Sequence, residues 1–260
     1  MKKNILILGG SSEAFNLAEK LENHASYHPI SSLAGRTSVP RKPAGTYRTG
    51  GFGGVDGLAY YIKQETISAI IDATHPFAQK ITTNASSAAK QTNCPIIHIS
   101  RSPWQKEKGD NWIEVDTMQE AVEKITPSHS PCFLTIGRLE LSAFLNRADI
   151  EFLCRAIEPP KATDPIKQKN KVPKNEDQWP ENFRFIYAKG PYDYENEISL
   201  IKQQNIQSIV TKNSGGDKAK AKLDVARDLD IPVVMIKRPS PLKGMTVETT
   251  NEALTWLKTI

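Results

Sequence analysis

The sequence predicts an α/β protein with two Rossmann-like domains, whose mostly parallel sheets face a cleft. Short β-branched runs alternate with amphipathic helical patterns along nearly the whole chain, which is typical of parallel sheets covered by helices. A proline-containing break at residues 126–131 interrupts the alternation, and the pattern then restarts. With 260 residues the chain is long enough for two small domains.

The first half, residues 1–128, is predicted to be the dinucleotide-binding domain. It opens with an apolar strand, a glycine turn and a helix whose apolar residues recur at the spacing of one face. Predicted strands lie near residues 4–8, 29–34, 67–73 and 95–100. Predicted helices lie near residues 12–23, 77–92 and 118–125.

The second half, residues 129–260, repeats the alternation and is predicted to be a Rossmann-like, substrate-binding domain. Predicted strands lie near residues 132–136, 150–155, 183–188, 208–211 and 232–236. Predicted helices lie near residues 139–146, 192–204, 217–229 and 251–257. Residues 161–180 contain three prolines and no apolar periodicity, which indicates an exposed insertion.

The composition restricts the class of partner. The net charge is only +5, which fits an anionic small molecule and argues against nucleic acid, because no basic stripe is interleaved with aromatic residues. Cys94, Cys132 and Cys154 lack metal or redox spacing, so we expect buried apolar cysteines and no metal site. No stretch approaches the roughly 18 apolar residues of a membrane span, and no signal peptide is recognisable. A cytoplasmic protein without membrane contact is expected, and the oligomeric state is not predicted.

The first turn carries residues suited to a dinucleotide. Residues 9–14, Gly-Gly-Ser-Ser-Glu-Ala, join a strand to a helix. Glycines there allow the close approach of a diphosphate, and the helix N-terminus offers free N–H groups. The candidate ligands are Gly10, Ser11 and Ser12. The sequence is not a complete G-x-G-x-x-G fingerprint, and an ordinary N-capped turn is the alternative.

Two further segments extend the predicted cofactor site. Arg36 and Thr37 follow the second strand, where a Rossmann fold meets the adenosine ribose, and they suit a 2′-phosphate. NADPH is therefore the predicted cofactor, with NADH as an alternative. Five of the eleven residues 48–58 are glycine, so bare N–H groups there can face an anion. Gly51, Phe52 and Gly53 are the candidates in this segment, for which a flexible linker is the alternative.

His75 follows an apolar strand in the run Asp-Ala-Thr-His-Pro-Phe-Ala of residues 72–78. Ligands of open parallel sheets gather at the carboxyl ends of strands. His75 is therefore the candidate catalytic residue, as a proton donor, and a candidate for binding near the nicotinamide or a carboxylate. A local hydrogen bond or helix cap is the alternative interpretation.

In the second half, cations follow several apolar strands and predict a basic mouth for a polycarboxylate. Solvated surface charges are the alternative. The candidate substrate-binding residues are Arg138, Arg155, Lys189, Lys212, Ser214 and Arg238.

Taken together, these segments resemble the precorrin-6A and cobalt-precorrin-6A reductase family of cobalamin biosynthesis. The resemblance runs in order over about residues 1–240, and its most specific pieces are Arg48-Thr-Gly-Gly-Phe-Gly-Gly and Asp72-Ala-Thr-His-Pro-Phe-Ala. The other matching pieces are residues 9–14, 32–37, 101–104, 137–138, 189–191, 212–216 and 238–239. Ser11 stands where a threonine is expected, and residues 161–180 exceed what the family needs.

The resemblance implies two Rossmann-like domains and the reduction of one macrocycle double bond by hydride from NADPH. It implies that residues 10–12, Arg36 and Thr37 hold the phosphates and the adenosine. It also implies that residues 50–54 and His75 lie towards the nicotinamide, and that the substrate is an anionic tetrapyrrole. A short-chain reductase is less favoured because no Tyr-x-x-x-Lys pair is present. A non-catalytic dinucleotide- or tetrapyrrole-binding module is the alternative from another class, and the cobalt content of the substrate is left open.

Overall fold

The chain adopts an α/β fold with two six-stranded sheets, which confirms the predicted fold class. The structure is a computed structural model that describes residues 2–35, 41–159, 179–240 and 244–260. Within those residues, each strand pairing is parallel. None of the helices in these ranges is long and apolar enough to cross a membrane.

The strands of the described residues are β1 (Lys3–Leu8), β2 (Tyr27–Leu33), β3 (Thr46–Thr49), β4 (Ile67–Asp72), β5 (Ile96–Ile99), β6 (Trp112–Val115), β7 (Cys132–Leu134), β8 (Phe152–Ala156), β9 (Phe183–Tyr187), β10 (Ser208–Lys212), β11 (Val233–Ile236) and β12 (Thr246–Val247). The α-helices are α1 (Ser12–Glu22), α2 (Val55–Gln64), α3 (Gln79–Thr92), α4 (Met118–Lys124), α5 (Tyr194–Gln203), α6 (Ala221–Asp228) and α7 (Thr250–Leu257). Short 3₁₀ turns cover Pro127–His129, Arg138–Phe144 and Asp217–Ala219.

The two sheets share one strand order. The first sheet runs β3-β2-β1-β4-β5-β12, and the second runs β9-β8-β7-β10-β11-β6. In each sheet the strand order reverses beside the central strand, which is β1 in the first sheet and β7 in the second. The first sheet has the 3-2-1-4-5-6 order of the Rossmann fold, and the second differs only in that its last strand, β6, comes first along unit 2. Rossmann folds bind ligands where the order reverses.

The chain divides into two compact units at positions other than those predicted. Unit 1 is Met1–Ser102 with Pro239–Ile260, and unit 2 is Pro103–Arg238. The predicted boundary between residues 128 and 129 is wrong because β6 pairs with β11 of unit 2, whereas β12 pairs with β5 of unit 1. Each unit therefore takes its sixth strand from the half of the chain that was assigned to the other domain. The proline-containing break at residues 126–131 is only a 3₁₀ turn before β7.

Helices cover both faces of the sheet in unit 1. On one face Ile5 and Ile7 pack with the apolar side of α1 and with Leu257 of α7. On the other face Leu6 and Leu8 pack with α2 and α3. Because both faces are buried, β1 is apolar at four successive positions, as expected for a central parallel strand.

The core of unit 2 joins β7, β8, β10 and β11 to α5 and α6 through a cluster that includes Phe133, Ile209 and Leu223. All three cysteines are free and buried, as predicted. Burial raises the pKa of Cys94 to about 11 and that of Cys132 to about 12, so both remain thiols at neutral pH.

The predicted insertion at residues 161–180 lies outside the described residues up to residue 178. Trp179, at its end, is only 8% exposed and packs against Phe183 and Phe185 of β9. This part of the prediction is wrong, because Trp179 contributes a large apolar ring to the core beside β9.

Candidate functional site

The candidate site of unit 1 lies where the strand order reverses, between the carboxyl ends of β1 and β4. Gly9 directly follows β1 and has a φ of +112°, a conformation that favours glycine. A Cβ at Gly9 would lie 2.7 Å from the carbonyl oxygen of Ala73 and 2.9 Å from the Cα of Thr74. Only glycine therefore lets the turn after β1 contact the turn after β4.

Gly10, Ser11 and Ser12 lie at the N-terminus of α1, at the end of β1 where a diphosphate would be held. The Ser11 hydroxyl accepts a hydrogen bond from the N–H of Ala14 at 3.1 Å, so Ser11 is the N-cap of α1. The N-capped turn is thus present, and it presents the remaining N–H groups of this turn at the positive end of the helix dipole. Contact of these residues with a cofactor stays a prediction.

A carboxylate accompanies this anion-binding geometry. Glu13 lies in the first turn of α1, and Arg101, just after β5, donates to its two oxygens at 3.2 and 3.4 Å. Burial opposes the ionisation of Glu13, but a backbone hydrogen bond and the Arg101 charge hold the pKa of Glu13 below its ordinary value. Arg101 thereby offsets a negative charge that would repel a phosphate. Arg101 was not among the predicted site residues.

His75 lies after β4, beside the turn that Gly9 contacts. Its ring is exposed, and its Nδ1 accepts a hydrogen bond from the N–H of Phe77 at 3.3 Å. The local hydrogen bond proposed as the alternative is therefore present, and in the neutral ring it leaves the proton on Nε2. A small cleft brings His75 together with Ser11, Thr74 and Arg101.

Asp72 organises the turn that carries His75, a role that the sequence did not predict. Asp72 is 2% exposed, and one of its oxygens accepts from the N–H and the hydroxyl of Thr74 at 3.0 and 2.7 Å. Its other oxygen lies 3.1 Å from Nδ1 of His98 on the neighbouring strand β5. Burial alone would raise the pKa of Asp72, but the hydrogen bonds from His98 and Thr74 lower it. The buried carboxylate therefore fixes the backbone beside Gly9.

The glycine-rich loop, residues 48–54, joins β3 to α2 beside the end of β2. The N–H of Gly50 donates to the carbonyl of Leu33 at 2.9 Å. A Cβ at Gly57 would lie 1.7 Å from the carbonyl oxygen of Phe52, so the first turn of α2 can approach the loop only with glycine there. The candidates Gly51, Phe52 and Gly53 thus lie on the β2–β3 side of the sheet, whereas His75 lies on the β4 side. Arg36 and Thr37 lie outside the described residues.

In unit 2, two predicted cations lie where the strand order reverses. Arg138 follows β7 and approaches Glu158 to 3.6 Å, and Lys212 ends β10 and approaches Glu140 to 3.4 Å. Both side chains are less than one-sixth exposed. Each cation therefore has a carboxylate neighbour that would compete with an anionic ligand. Ser214 lies two residues beyond Lys212 and is half-buried, and Lys189 is exposed after β9.

Arg155 and Arg238 both bond to the protein itself, and their contact with a substrate stays a prediction. Arg155 is 7% exposed, donates to Glu197 at 2.6 Å, and lies over the rings of Phe133 and Tyr192. Arg155 on β8 therefore forms a buried ion pair with Glu197 of α5. Arg238 donates to the carbonyl oxygens of Asn213 and Ser214, both at 2.8 Å, and so holds the loop after β10.

Trp104 also supports the loop after β10 in unit 2. The side-chain amide of Asn213 forms two hydrogen bonds with the backbone of Trp104, at 2.8 and 2.9 Å. The Trp104 indole N–H donates to the carbonyl of Gly216 at 2.8 Å, and Lys222 lies 4.9 Å from the ring.

Across the described ranges, no three His, Cys, Asp or Glu side chains are placed to hold a metal ion.

Comparison with known proteins gives one consistent family. The family model described as "Precorrin-6x reductase CbiJ/CobK" matches residues 4–258. The chain is 40% identical to the precorrin-6A reductase of Rhodococcus erythropolis over 98% of both chains. It is 26% identical to the cobalt-precorrin-6A reductase of Priestia megaterium over 96% of both chains. Among solved structures it is similar to "CobK precorrin-6A reductase", with a TM-score of 0.86, 33% identity, and coverage of 99% of this chain and 96% of that one.

Proposed function

The chain belongs to the precorrin-6x reductase family, and we propose that it transfers hydride from NADPH to a macrocycle double bond of precorrin-6A, giving the 6B form in cobalamin biosynthesis. Membership of a reductase family favours an enzyme over a non-catalytic binding module. The observation that supports the proposal most directly is in unit 1, where Gly9 lets the turns after β1 and β4 contact each other at the point where the strand order reverses. Rossmann folds bind dinucleotides at this position.

We propose that the dinucleotide extends across the end of the first sheet. The diphosphate is held at the N-terminus of α1 by Gly10, Ser11 and Ser12. The adenosine half lies on the β2–β3 side, and the nicotinamide half lies on the β4–β5 side near His75. The glycine-rich loop lies beside β2 and β3, so its position favours contact with the adenosine half rather than the nicotinamide end implied by the family resemblance.

The residues of the chain would orient the nicotinamide and the macrocycle against each other, because the cofactor itself would supply the hydride. His75 is the proposed proton donor to the carbon next to the one that receives hydride, acting from its protonated imidazolium form and returning to the neutral ring. Arg138, Lys189, Lys212 and Ser214 are the proposed contacts for the substrate carboxylates. We leave Arg155 and Arg238 out of this set, because Arg155 is buried against Glu197 and Arg238 donates to the carbonyl oxygens of Asn213 and Ser214.

We further propose that the substrate is the cobalt-free macrocycle. The identity to the cited relative named precorrin-6A reductase is 40%, against 26% for the cited relative named cobalt-precorrin-6A reductase. Turnover of each macrocycle with NADPH tests this. Faster reduction of the cobalt-containing form would contradict it.

The reaction is tested by incubating the purified protein with precorrin-6A and NADPH labelled with deuterium at both C4 positions. The expected product carries one deuterium from the cofactor and one proton from the solvent. Absence of the label from the macrocycle would exclude hydride transfer.

Cofactor choice is tested at Arg36, on the basis of its position in the sequence after β2. Arg36→Ala should weaken NADPH binding by about 1.5–3 kcal/mol, the scale of a charge-assisted hydrogen bond, and leave NADH binding nearly unchanged. Dissociation constants for both dinucleotides provide the measurement. An equal loss for both would show that Arg36 does not contact the 2′-phosphate.

A further inference from the structure

The guanidinium group of Arg48 lies inside the glycine-rich loop. One of its terminal nitrogens donates to the Ser32 hydroxyl at 2.8 Å and to the carbonyl of Gly50 at 3.0 Å, and the other donates to the carbonyl of Gly51 at 2.9 Å. The guanidinium carbon lies 3.9 Å from the centre of the Phe52 ring and 5.3 Å from that of Tyr61. One side chain therefore holds two successive carbonyls of the loop, its aromatic residue and the end of β2.

Apart from the hydrogen bond from Gly50 to Leu33, the glycines of this loop have little packing around them among the described residues. Gly50, Gly53 and Gly54 have φ values of +100°, +80° and +108°. A Cβ added at any of these positions, or at Gly51, would meet no atom within 4 Å in the part of the chain that the structure describes. Gly50, Gly53 and Gly54 are thus required by the backbone conformation, not by close packing, and the loop is open on the side where a ligand would lie.

We propose that Arg48 is the positioning residue of the glycine-rich loop, which it holds from within in the shape that receives the dinucleotide. The identity of that ligand rests on the proposed function. The planar guanidinium suits this role because it donates to separate acceptors in one plane while its face stacks on Phe52. Lysine keeps the positive charge but lacks the planar fork, so it cannot replace these contacts.

Arg48→Lys therefore separates shape from charge. It should weaken NADPH binding about tenfold or more, a change of ~1.4 kcal/mol, and change the KM for the tetrapyrrole less than about twofold. The matched control is Arg41→Lys, because Arg41 also lies over an aromatic ring, that of Phe15 at 4.7 Å, and pairs with Glu19 at 57% exposure. The control should bind NADPH as the wild type does. Equal affinities of the wild type and both variants would overturn the proposal.

Chemical rescue tests the same role without relying on lysine. In Arg48→Ala, added guanidinium ion at a concentration well below its denaturing range should recover part of the NADPH affinity. Methylammonium, which has the same charge but no planar fork, should not. Equal recovery by the two ions would show that only charge is required, and would overturn the proposal.

Amide hydrogen exchange separates this proposal from the proposed function. In the protein without ligand, residues 49–54 should exchange faster in Arg48→Lys than in the wild type and in Arg41→Lys, while the thermal unfolding midpoints stay alike. If NADPH fails to bind the wild type but this exchange pattern is seen, the cofactor assignment fails and the role of Arg48 in the loop stands. If exchange in Arg48→Lys matches the control, the proposal fails whatever the ligand is.

Discussion

Several charged residues at the strand ends bind the backbone of the protein itself. Arg48 and Arg238 each donate to two successive carbonyls, and Asp72 accepts from the turn before His75. Each is adjacent in sequence to a glycine-rich or polar loop, so it has the same sequence signature as a ligand-binding residue. What separates the two roles is the direction of the side chain, which depends on the neighbouring strand and not on the residue's own segment.

Lys222 is a buried cation whose effect on stability depends on pH. It is 4% exposed on α6, and burial lowers its pKa to about 7, against the favourable charge of Glu197. In the unfolded chain the pKa returns to near 10.5, so between these values the unfolded state binds more protons and stability rises with pH. Relative to Lys222→Met, the wild type should therefore gain stability between about pH 7 and about pH 9, because the buried cysteines are common to both proteins and their contribution cancels in the difference.

Urea unfolding of both proteins at the two pH values measures this difference. Lys202→Met is the control, because Lys202 is exposed on α5 and its removal leaves the buried groups intact. The control should follow the pH dependence of the wild type. A Lys222→Met variant with that same dependence would show that Lys222 does not titrate in this range.

At the scale of elements, the turns after β7 and β10 place Arg138 and Lys212 at the point where the strand order of the second sheet reverses. Glu140 lies 3.4 Å from the Lys212 ammonium and is held on the 3₁₀ turn that follows β7. If the proposed anionic substrate binds at Lys212, it has to share this cation with the carboxylate. We therefore expect the acidic neighbour to weaken binding of the proposed substrate.

Substitution of each partner should change substrate affinity in opposite directions. Lys212→Ala should raise the KM for the tetrapyrrole by a factor that corresponds to roughly 1–3 kcal/mol of binding free energy. Glu140→Gln should lower the same KM by a smaller factor. The KM for NADPH should not change in either variant. If Glu140→Gln instead raises the tetrapyrrole KM, the carboxylate positions the lysine and does not compete with the substrate.

The sequence predicts the long apolar elements well and the short or glycine-rich ones poorly. The runs that became β1, β4 and β10 are buried on both faces, and that burial produces the apolar pattern itself. In contrast, β12 has two residues and β3 lies at an edge with none of its four residues buried. The first turn of α2 follows the glycine-rich loop and needs Gly57, a residue that disfavours helices, so its composition indicates a loop.

The site is predicted in part for a related reason. The turns after β1 and β4 carry their functional residue types in continuous segments, so residues 9–14 and 72–78 could be found in the sequence. Arg101, Asp72 and His98 act through partners on other helices or strands, and no local pattern indicates those pairs. The buried pair of Arg155 and Glu197 joins β8 to α5, which the sequence alone does not place together.

For the whole molecule, β12 and α7 follow unit 2 in the sequence but belong to unit 1. The stability of unit 1 therefore depends on this last segment of the chain. Ala253 and Leu257 of α7 are fully buried in the core of unit 1, and the Tyr27 hydroxyl donates to the carbonyl of Leu257 at 2.7 Å. Leu257→Ala should therefore destabilise the protein by about 2–5 kcal/mol, through lost burial and the cavity left behind.

Denaturant unfolding followed by circular dichroism measures this loss. Ile260→Ala is the control, because Ile260 lies three residues further on and is 36% exposed. It should change the free energy of unfolding by less than about 1 kcal/mol. Equal effects of the two substitutions would show that α7 does not contribute to the core of unit 1 as described.

The strand exchange also sets the order in which the protein can be completed on the ribosome. The chain is synthesised from its N-terminus, and domains generally fold as they emerge. All of unit 2 is translated between β5 and β12, so β6 is already available when β11 emerges. Unit 2 can therefore close its sheet during translation. The nascent unit 1 carries an open edge at β5 until β12 and α7 follow, and during that interval β5 can pair with the strands of other chains.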